Sequence, residues 1–116
     1  MKITKEEAID RIRKQVVCDE NTEFDCRSVP GRENVLVVLA GVCEHRSYPG
    51  IYLVWKDSEG RINHHYGADS YTSFLRIVSV REDGNFLRVF YAYAWSEETN
   101  SERWWSFKYP LAELKK

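Results

Sequence analysis

The chain has 116 residues, of which 43% are apolar, 30% charged and 14% aromatic, and its formal net charge is −1. This length suits one domain with one core, and this balance excludes a disordered chain, which would have fewer bulky apolar groups and a larger net charge. The small net charge also gives no overall field that would draw the protein to a polyanion or an anionic membrane.

The N-terminal residues and the cysteines favour a cytoplasmic protein. Residues 1–7 contain no apolar segment typical of a signal peptide, and no run approaches the roughly 20 apolar residues that span a bilayer. The three cysteines, Cys18, Cys26 and Cys43, are odd in number and include no CxxC pair, so one chain cannot pair them all. We therefore expect a reducing compartment and no membrane association.

An amphipathic helix is predicted at the N-terminus. Thr4 and Glu7 have the spacing of a capping box, which satisfies two backbone donors that are otherwise unpaired. Ala8, Ile12 and Val16 recur at intervals of four, while charged residues occupy the opposite side. The single apolar stripe is typical of a helix that lies across a sheet.

The rest of the chain alternates between strand patterns and turn signals. The predicted strands are 24–29, 35–42, 51–56, 61–66, 71–80, 86–95 and 103–109, and Pro110 begins a short terminal helix over 111–115. The connections are too short for parallel crossovers. The sequence therefore predicts a single α+β domain over 1–116. In it the helix packs on a curved antiparallel sheet of five to seven strands, which is a meander or a half-barrel.

The sixth predicted strand is apolar on both faces. Tyr91, Tyr93 and Trp95 share one face, whereas Ala92 and Ala94 share the other. One helix covers only one side of a sheet, and the small alanines favour contact with it. The aromatic face then needs another cover, which is the curvature of the sheet, a partner subunit or a ligand.

Tyr91, Tyr93 and Trp95, together with Trp105, are the predicted binding residues. Tyr and Trp combine apolar area with a polar tip, as is typical of surfaces that contact a partner. The alternative interpretation is that these rings form the core of the sheet, with their polar tips at its rim. The segment 103–109 interleaves aromatic and cationic residues like a platform for single-stranded nucleic acid. We do not expect nucleic acid, because no wider basic groove accompanies it.

His64 and His65 are the candidate catalytic residues. Neighbours on a strand point to opposite faces, so at most one of them faces any pocket. Either one could act as a general base near neutral pH, with Asp69 or Glu44 as a carboxylate partner. Phosphate-binding loops, GxSxG and HExxH motifs are missing from the sequence. The interpretation of both histidines as ordinary surface residues remains open.

A zinc site could be assembled from Cys43 and His45, which lie two residues apart, together with Cys18, Cys26 or one of the paired histidines. The usual CxxC or HxxxH spacing is absent, and a buried Cys is an ordinary core residue. We therefore predict no metal site and no cofactor. A nucleophilic Cys43 would need a lowered thiol pKa, and only Arg46 is close in sequence.

Two functions fit these observations. The first is a non-catalytic binding domain that engages a protein partner through the aromatic sheet face, as a homodimer or as an inhibitor-like or immunity-like protein. The second is a small-molecule pocket, with or without catalysis, between the helix and the concave sheet, with His64 or His65 and tyrosine hydroxyls as polar groups. No stretch matches a family signature, and unrelated functions share this fold class.

Overall fold

The computed structural model describes residues 1–16, 18–44, 48–70, 74–94 and 102–115. One helix precedes seven strands, and a 3₁₀ helix (Leu111–Lys115) ends the described chain. The elements are α1 (Lys5–Gln15), β1 (Phe24–Val29), β2 (Arg32–Ala40), β3 (Gly50–Lys56), β4 (Ile62–Asp69), β5 (Phe74–Asp83), β6 (Phe86–Ala94) and β7 (Arg103–Pro110). The α+β class, the N-terminal helix and the number of strands are confirmed. Among the described residues, no helix has both the length and the apolar character needed to cross a bilayer.

The strands form two antiparallel sheets, so the predicted single sheet is wrong. Sheet I has the order β1-β2-β3-β4 and sheet II the order β5-β6-β7, so the meander holds within each sheet. Neither sheet is closed: in the described strands, β1 and β4 are the edges of sheet I, and β5 and β7 are the edges of sheet II. The connection after β4 is too short for a parallel crossover, as the sequence predicted. It leads to β5 in the second sheet, and not to a further strand of sheet I.

Helix α1 packs on the outer face of sheet I. The capping box is present, since the Thr4 hydroxyl accepts from the Glu7 N–H at 3.1 Å and the Glu7 carboxylate accepts from the Thr4 N–H at 3.0 Å. Behind this cap, the buried Ala8 and Ile12 contact a cluster that includes Val38 of β2. The sequence therefore predicted the start and the apolar stripe of this helix from local signals alone.

The predicted contact between the helix and the alanines of β6 is wrong. Ala92 and Ala94 lie in sheet II, whereas α1 contacts strands of sheet I. The cross-strand neighbours of Ala92 are Arg76 and Trp104, which contact each other and leave it only 1% exposed. The small side chain of Ala92 does have close neighbours, as predicted. These neighbours are two long side chains of the same sheet and not the helix.

The main core lies between the two sheets. Alternate residues of β2 and β3 point inward from sheet I, and Ile77, Leu87 and Val89 point inward from sheet II. Strand β2 is therefore apolar on both faces because sheet I is the middle layer of three, as expected of an interior strand. Leu114 of the 3₁₀ helix joins this core, and the Asn34 amide donates to the Lys56 and Leu114 carbonyls at 3.1 Å each.

Candidate functional site

Three of the four predicted binding residues lie together on the inner face of sheet II. Tyr91 of β6 is paired with Trp105 of β7, and Tyr93 follows two residues further along β6 on the same face. The indole N–H of Trp105 donates to the Tyr93 hydroxyl at 3.1 Å, and the Trp105 side chain is 60% exposed. Trp95, the fourth residue, lies outside the described residues.

Tyr91 differs from its neighbours because it is part of the packing between the sheets. Its ring lies 6.3 Å from that of Phe107. Burial raises the pKa of the Tyr91 phenol, and Tyr93 and Asp69 raise it further. The phenol is therefore protonated at neutral pH. Of the three described residues of this predicted surface, Tyr91 and Tyr93 are half-buried and Trp105 is exposed.

Trp104 is a second exposed indole on the edge strand β7, and the sequence analysis did not select it. Because strand residues alternate, Trp104 points to the outer face of sheet II, opposite to Trp105, and it is also 60% exposed. Its indole N–H donates to the Glu102 carboxylate at 3.1 Å, and the Arg76 guanidinium lies 5.7 Å from its ring. We call Trp104 and Trp105 the tryptophan edge. Alternation within 103–109 was the signal that could have identified both rings.

The outer face of sheet II combines aromatic rings with cations. Three cations each lie over a ring: Arg76 over Trp104, Arg81 over Phe90 at 4.6 Å, and Lys108 over Phe86 at 4.4 Å. No described helix or strand packs on this face, whereas α1 covers the equivalent face of sheet I. These cations were not predicted, because the small Ala92 and Ala94 had indicated that the helix covers this face.

His64 and His65 point to opposite faces of β4, as predicted. His64 lies on the helix side, where its Nδ1 accepts from the Arg11 guanidinium at 3.0 Å. His65 lies between the sheets, with its ring 4.3 Å from that of Tyr109. Burial lowers the pKa of both histidines, and the Arg11 charge lowers that of His64 further. Both rings are therefore neutral at pH 7, and a cation rather than Asp69 or Glu44 contacts His64.

The cysteines do not converge on a site in the described part of the chain. Cys18 and Cys26 both pack against the core between α1 and sheet I. Burial raises the pKa of the Cys26 thiol, which disfavours the thiolate that metal binding or nucleophilic attack requires. No group of three or more Cys, His, Asp or Glu among the described residues could hold a metal ion. His45 lies outside those residues, and so does the arrangement with Cys43 that the sequence left open.

The helix side of sheet I gathers the polar groups of the predicted small-molecule site. The Tyr52 ring lies 6.5 Å from His64 and 5.4 Å from Tyr66. An open groove of about 490 Å³ lies between α1 and β4, and its lining includes Arg11 and Asn63 but none of these three rings. The space directly beneath the helix is filled by buried apolar side chains. Any ligand on this side would therefore bind beside the helix.

Comparisons with family models, with curated proteins and with solved structures found no match for this chain. The functional argument therefore depends on the geometry of these surfaces.

Proposed function

We propose that this chain is a non-catalytic binding domain that engages a protein partner through the tryptophan edge. The observation that carries the proposal is the exposure of Trp104 and Trp105, which are adjacent on an edge strand, point to opposite faces and are each 60% exposed. Trp, Tyr and Arg dominate the binding energy of protein interfaces. Tyr93 and Arg76 contact these two indoles, so all three residue types meet at this edge.

The rings of the tryptophan edge are held in place before any partner binds. The Trp105 N–H is bonded to Tyr93 and the Trp104 N–H to Glu102, while the indole faces stay accessible. A side chain that is already ordered loses less entropy on association, which favours binding. The curvature that the sequence predicts belongs to the same proposal. A partner that contacts both rings has to enclose the edge of β7 from its two faces, because the rings point to opposite faces.

Photo-crosslinking tests this proposal. A photoreactive phenylalanine analogue replaces Trp105, and in a control protein it replaces Lys14, which is exposed on α1. Both proteins are irradiated in the native host and the cross-linked protein is identified by mass spectrometry. We expect one partner from position 105 and none from position 14. Capture at both positions with equal yield would contradict the proposal.

The affinity of the purified partner gives the second part of the test. Trp104→Ala and Trp105→Ala should each weaken binding by about tenfold or more, because indoles at the centre of an interface are costly to remove. Lys14→Ala should leave the affinity unchanged. If the partner is a second copy of the chain, sedimentation equilibrium should show a wild-type dimer that Trp105→Ala dissociates. Unchanged affinity in both tryptophan variants would overturn the proposal.

A small-molecule site remains the second candidate, and the cluster of His64, Tyr52 and Tyr66 supports it. A thermal-shift screen against metabolites separates the two functions, because a bound ligand raises the unfolding temperature in proportion to its affinity and concentration. A monomer that one compound stabilises, and that loses this stabilisation in His64→Gln, would favour the small-molecule site.

A further inference from the structure

The outer face of sheet II carries three cations abreast. Arg81 of β5 is paired with Arg88 of β6, and Arg88 is paired with Lys108 of β7, so the three side chains cross the sheet as one row. We call these three residues the basic row. Like charges at directly opposed positions of an antiparallel pair destabilise a sheet. The outer two cations lie over Phe90 and Phe86 and the middle one pairs with Asp83, which offsets part of this cost. The feature that suggests a role in binding is the charge of the two outer cations.

Within the part of the chain that the structure describes, acidic side chains neutralise only the middle of the basic row. The Arg88 guanidinium pairs with Asp83 at 2.8 Å and donates to the Ser106 hydroxyl at 3.0 Å. The ion pairs of the described residues include neither Arg81 nor Lys108, and both of these side chains are exposed. Two positive charges thus stay available to an anionic partner on a chain whose net charge is −1.

The same face already binds a carboxylate. Glu102 accepts two hydrogen bonds from Arg76, at 2.9 and 2.8 Å, and one from the Trp104 indole at 3.1 Å. The bonds from Arg76 are the largest cause of a lowered pKa at the Glu102 carboxyl, and the bond from Trp104 lowers this pKa further. The carboxyl group is therefore ionised. Arg76 beside Trp104 therefore shows that a guanidinium next to an aromatic ring binds a carboxylate on this face. Arg81 has the same kind of position beside Phe90.

The rings of this face favour a polypeptide over a nucleic acid strand. Bases bind single-strand platforms by stacking on open aromatic faces. Trp104 is an exposed ring of this face, and the Arg76 guanidinium lies 5.7 Å from it. At the basic row, Arg81 covers Phe90 and Lys108 covers Phe86, so a base would have to displace a cation before it could stack there. A carboxylate needs only the outward N–H groups of those cations, and the cations stay on their rings.

We propose that the basic row is the docking site for an acidic segment of the partner protein, with carboxylates on Arg81 and Lys108; this inference rests on the proposed function. Neighbouring strands lie about 4.8 Å apart, so the row spans roughly 10 Å across the sheet. Acidic residues at alternate positions of an extended segment, about 6.7 Å apart, fit within that span.

An NMR titration of the full chain tests the docking site. The probe is a peptide of about twelve residues that alternates Glu with Ser, so that its carboxylates share one side of an extended chain, and the control peptide has Gln in place of Glu. We expect the Glu peptide to shift the amide signals around Arg81, Arg88 and Lys108, and the Gln peptide to shift none of them. This map needs no variant. Shifts centred elsewhere would overturn the inference.

Variants then test the charges. Arg81→Gln with Lys108→Gln should weaken binding of the Glu peptide by about tenfold or more. The matched control is Lys14→Gln with Arg61→Gln, which removes two exposed charges elsewhere and should bind as wild type. Arg81→Lys with Lys108→Arg should keep most of the affinity. Equal losses in the control would indicate unspecific attraction and would overturn the inference.

Two further outcomes separate this inference from the proposed function. An oligothymidylate of about twelve nucleotides that binds more tightly than the Glu peptide would identify a nucleic-acid surface and overturn the inference. A partner whose affinity falls in Trp104→Ala and Trp105→Ala, but not in the Gln variant of the basic row, would overturn this inference and leave the proposed function standing.

Discussion

Gly67 of β4 shows how a single residue controls the contact between the sheets. Ala68 pairs with Ile51 and Tyr66 with Tyr52, so Gly67 is left as the extra residue of a bulge. A Cβ at this position would overlap the ring of Phe107 in β7. The missing side chain at Gly67 therefore lets sheet II approach this edge of sheet I.

Gly67→Ala should destabilise the protein by about 1–3 kcal/mol, because an added methyl must displace a packed ring. Urea unfolding measures the loss. Phe107→Leu gives the matched variant, and the double substitution should cost less than the sum of the two single ones, since the smaller side chain leaves room for the methyl. If the stability losses of the two single substitutions simply add in the double variant, the overlap with Phe107 is not the cause of the loss in Gly67→Ala.

For the residues of the candidate site, strand alternation predicted which residues of a strand share a face, but not how exposed each residue is. Alternation placed Tyr91 and Tyr93 on one face, as the structure does, whereas the position of Trp105 on that face follows from its pairing with Tyr91. Alternation could not reveal that Tyr91 packs partly against the core between the sheets while Trp105 is exposed, because this difference depends on where the packed core ends. Trp104 follows the same alternation and points to the outer face of sheet II, where the sequence predicted the helix and no binding residue.

At the scale of elements, helix α1 depends on its cap for its start. Thr4→Ala removes the side-chain acceptor of the Glu7 N–H and should cost about 1 kcal/mol of stability. Urea unfolding measures this loss, and Asp10→Ala is the control. Asp10 forms only an exposed pair with Lys14, so its loss should cost under about 0.5 kcal/mol. If Thr4→Ala and Asp10→Ala lose the same stability, the loss in Thr4→Ala does not come from the capping box.

The strands were predicted well because turn chemistry marks their ends. Gly31 and Gly84 have φ of 77° and 61° in the turns before β2 and β6, where a side chain would be strained. The assignment of strands to sheets was not predictable in the same way. Alternation reveals that residues of one strand share a face, but it does not identify the layer beyond that face. The sequence before β5 has the same turn signals as the hairpins, so it did not indicate that a second sheet begins there.

At the scale of the whole molecule, the net charge conceals an uneven distribution. Counting described residues alone, the outer face of sheet II holds Arg76 and the basic row beside two acids, Asp83 and Glu102, although the chain as a whole is at −1. The excess exists because the cations occupy alternate positions on three strands that became neighbours on folding. A sum over the sequence cannot show this, and the sequence analysis therefore assigned no partner from charge.

Sheet I belongs to both cores, and this sharing should make the three layers unfold together. Val38 and Val54 contact the helix cluster, while Val37 and Leu53 contact sheet II from the same two strands. Ile12→Ala empties a fully buried position beneath α1 and should cost about 2–5 kcal/mol. The loss should appear equally in the helical circular dichroism signal and in the fluorescence of the buried Trp55, which lies between the sheets. Lys14→Ala, on the exposed side of the helix, should move neither signal. A helix signal that melts before the Trp55 signal would show instead that α1 is a separate layer, docked on a sandwich that is stable without it.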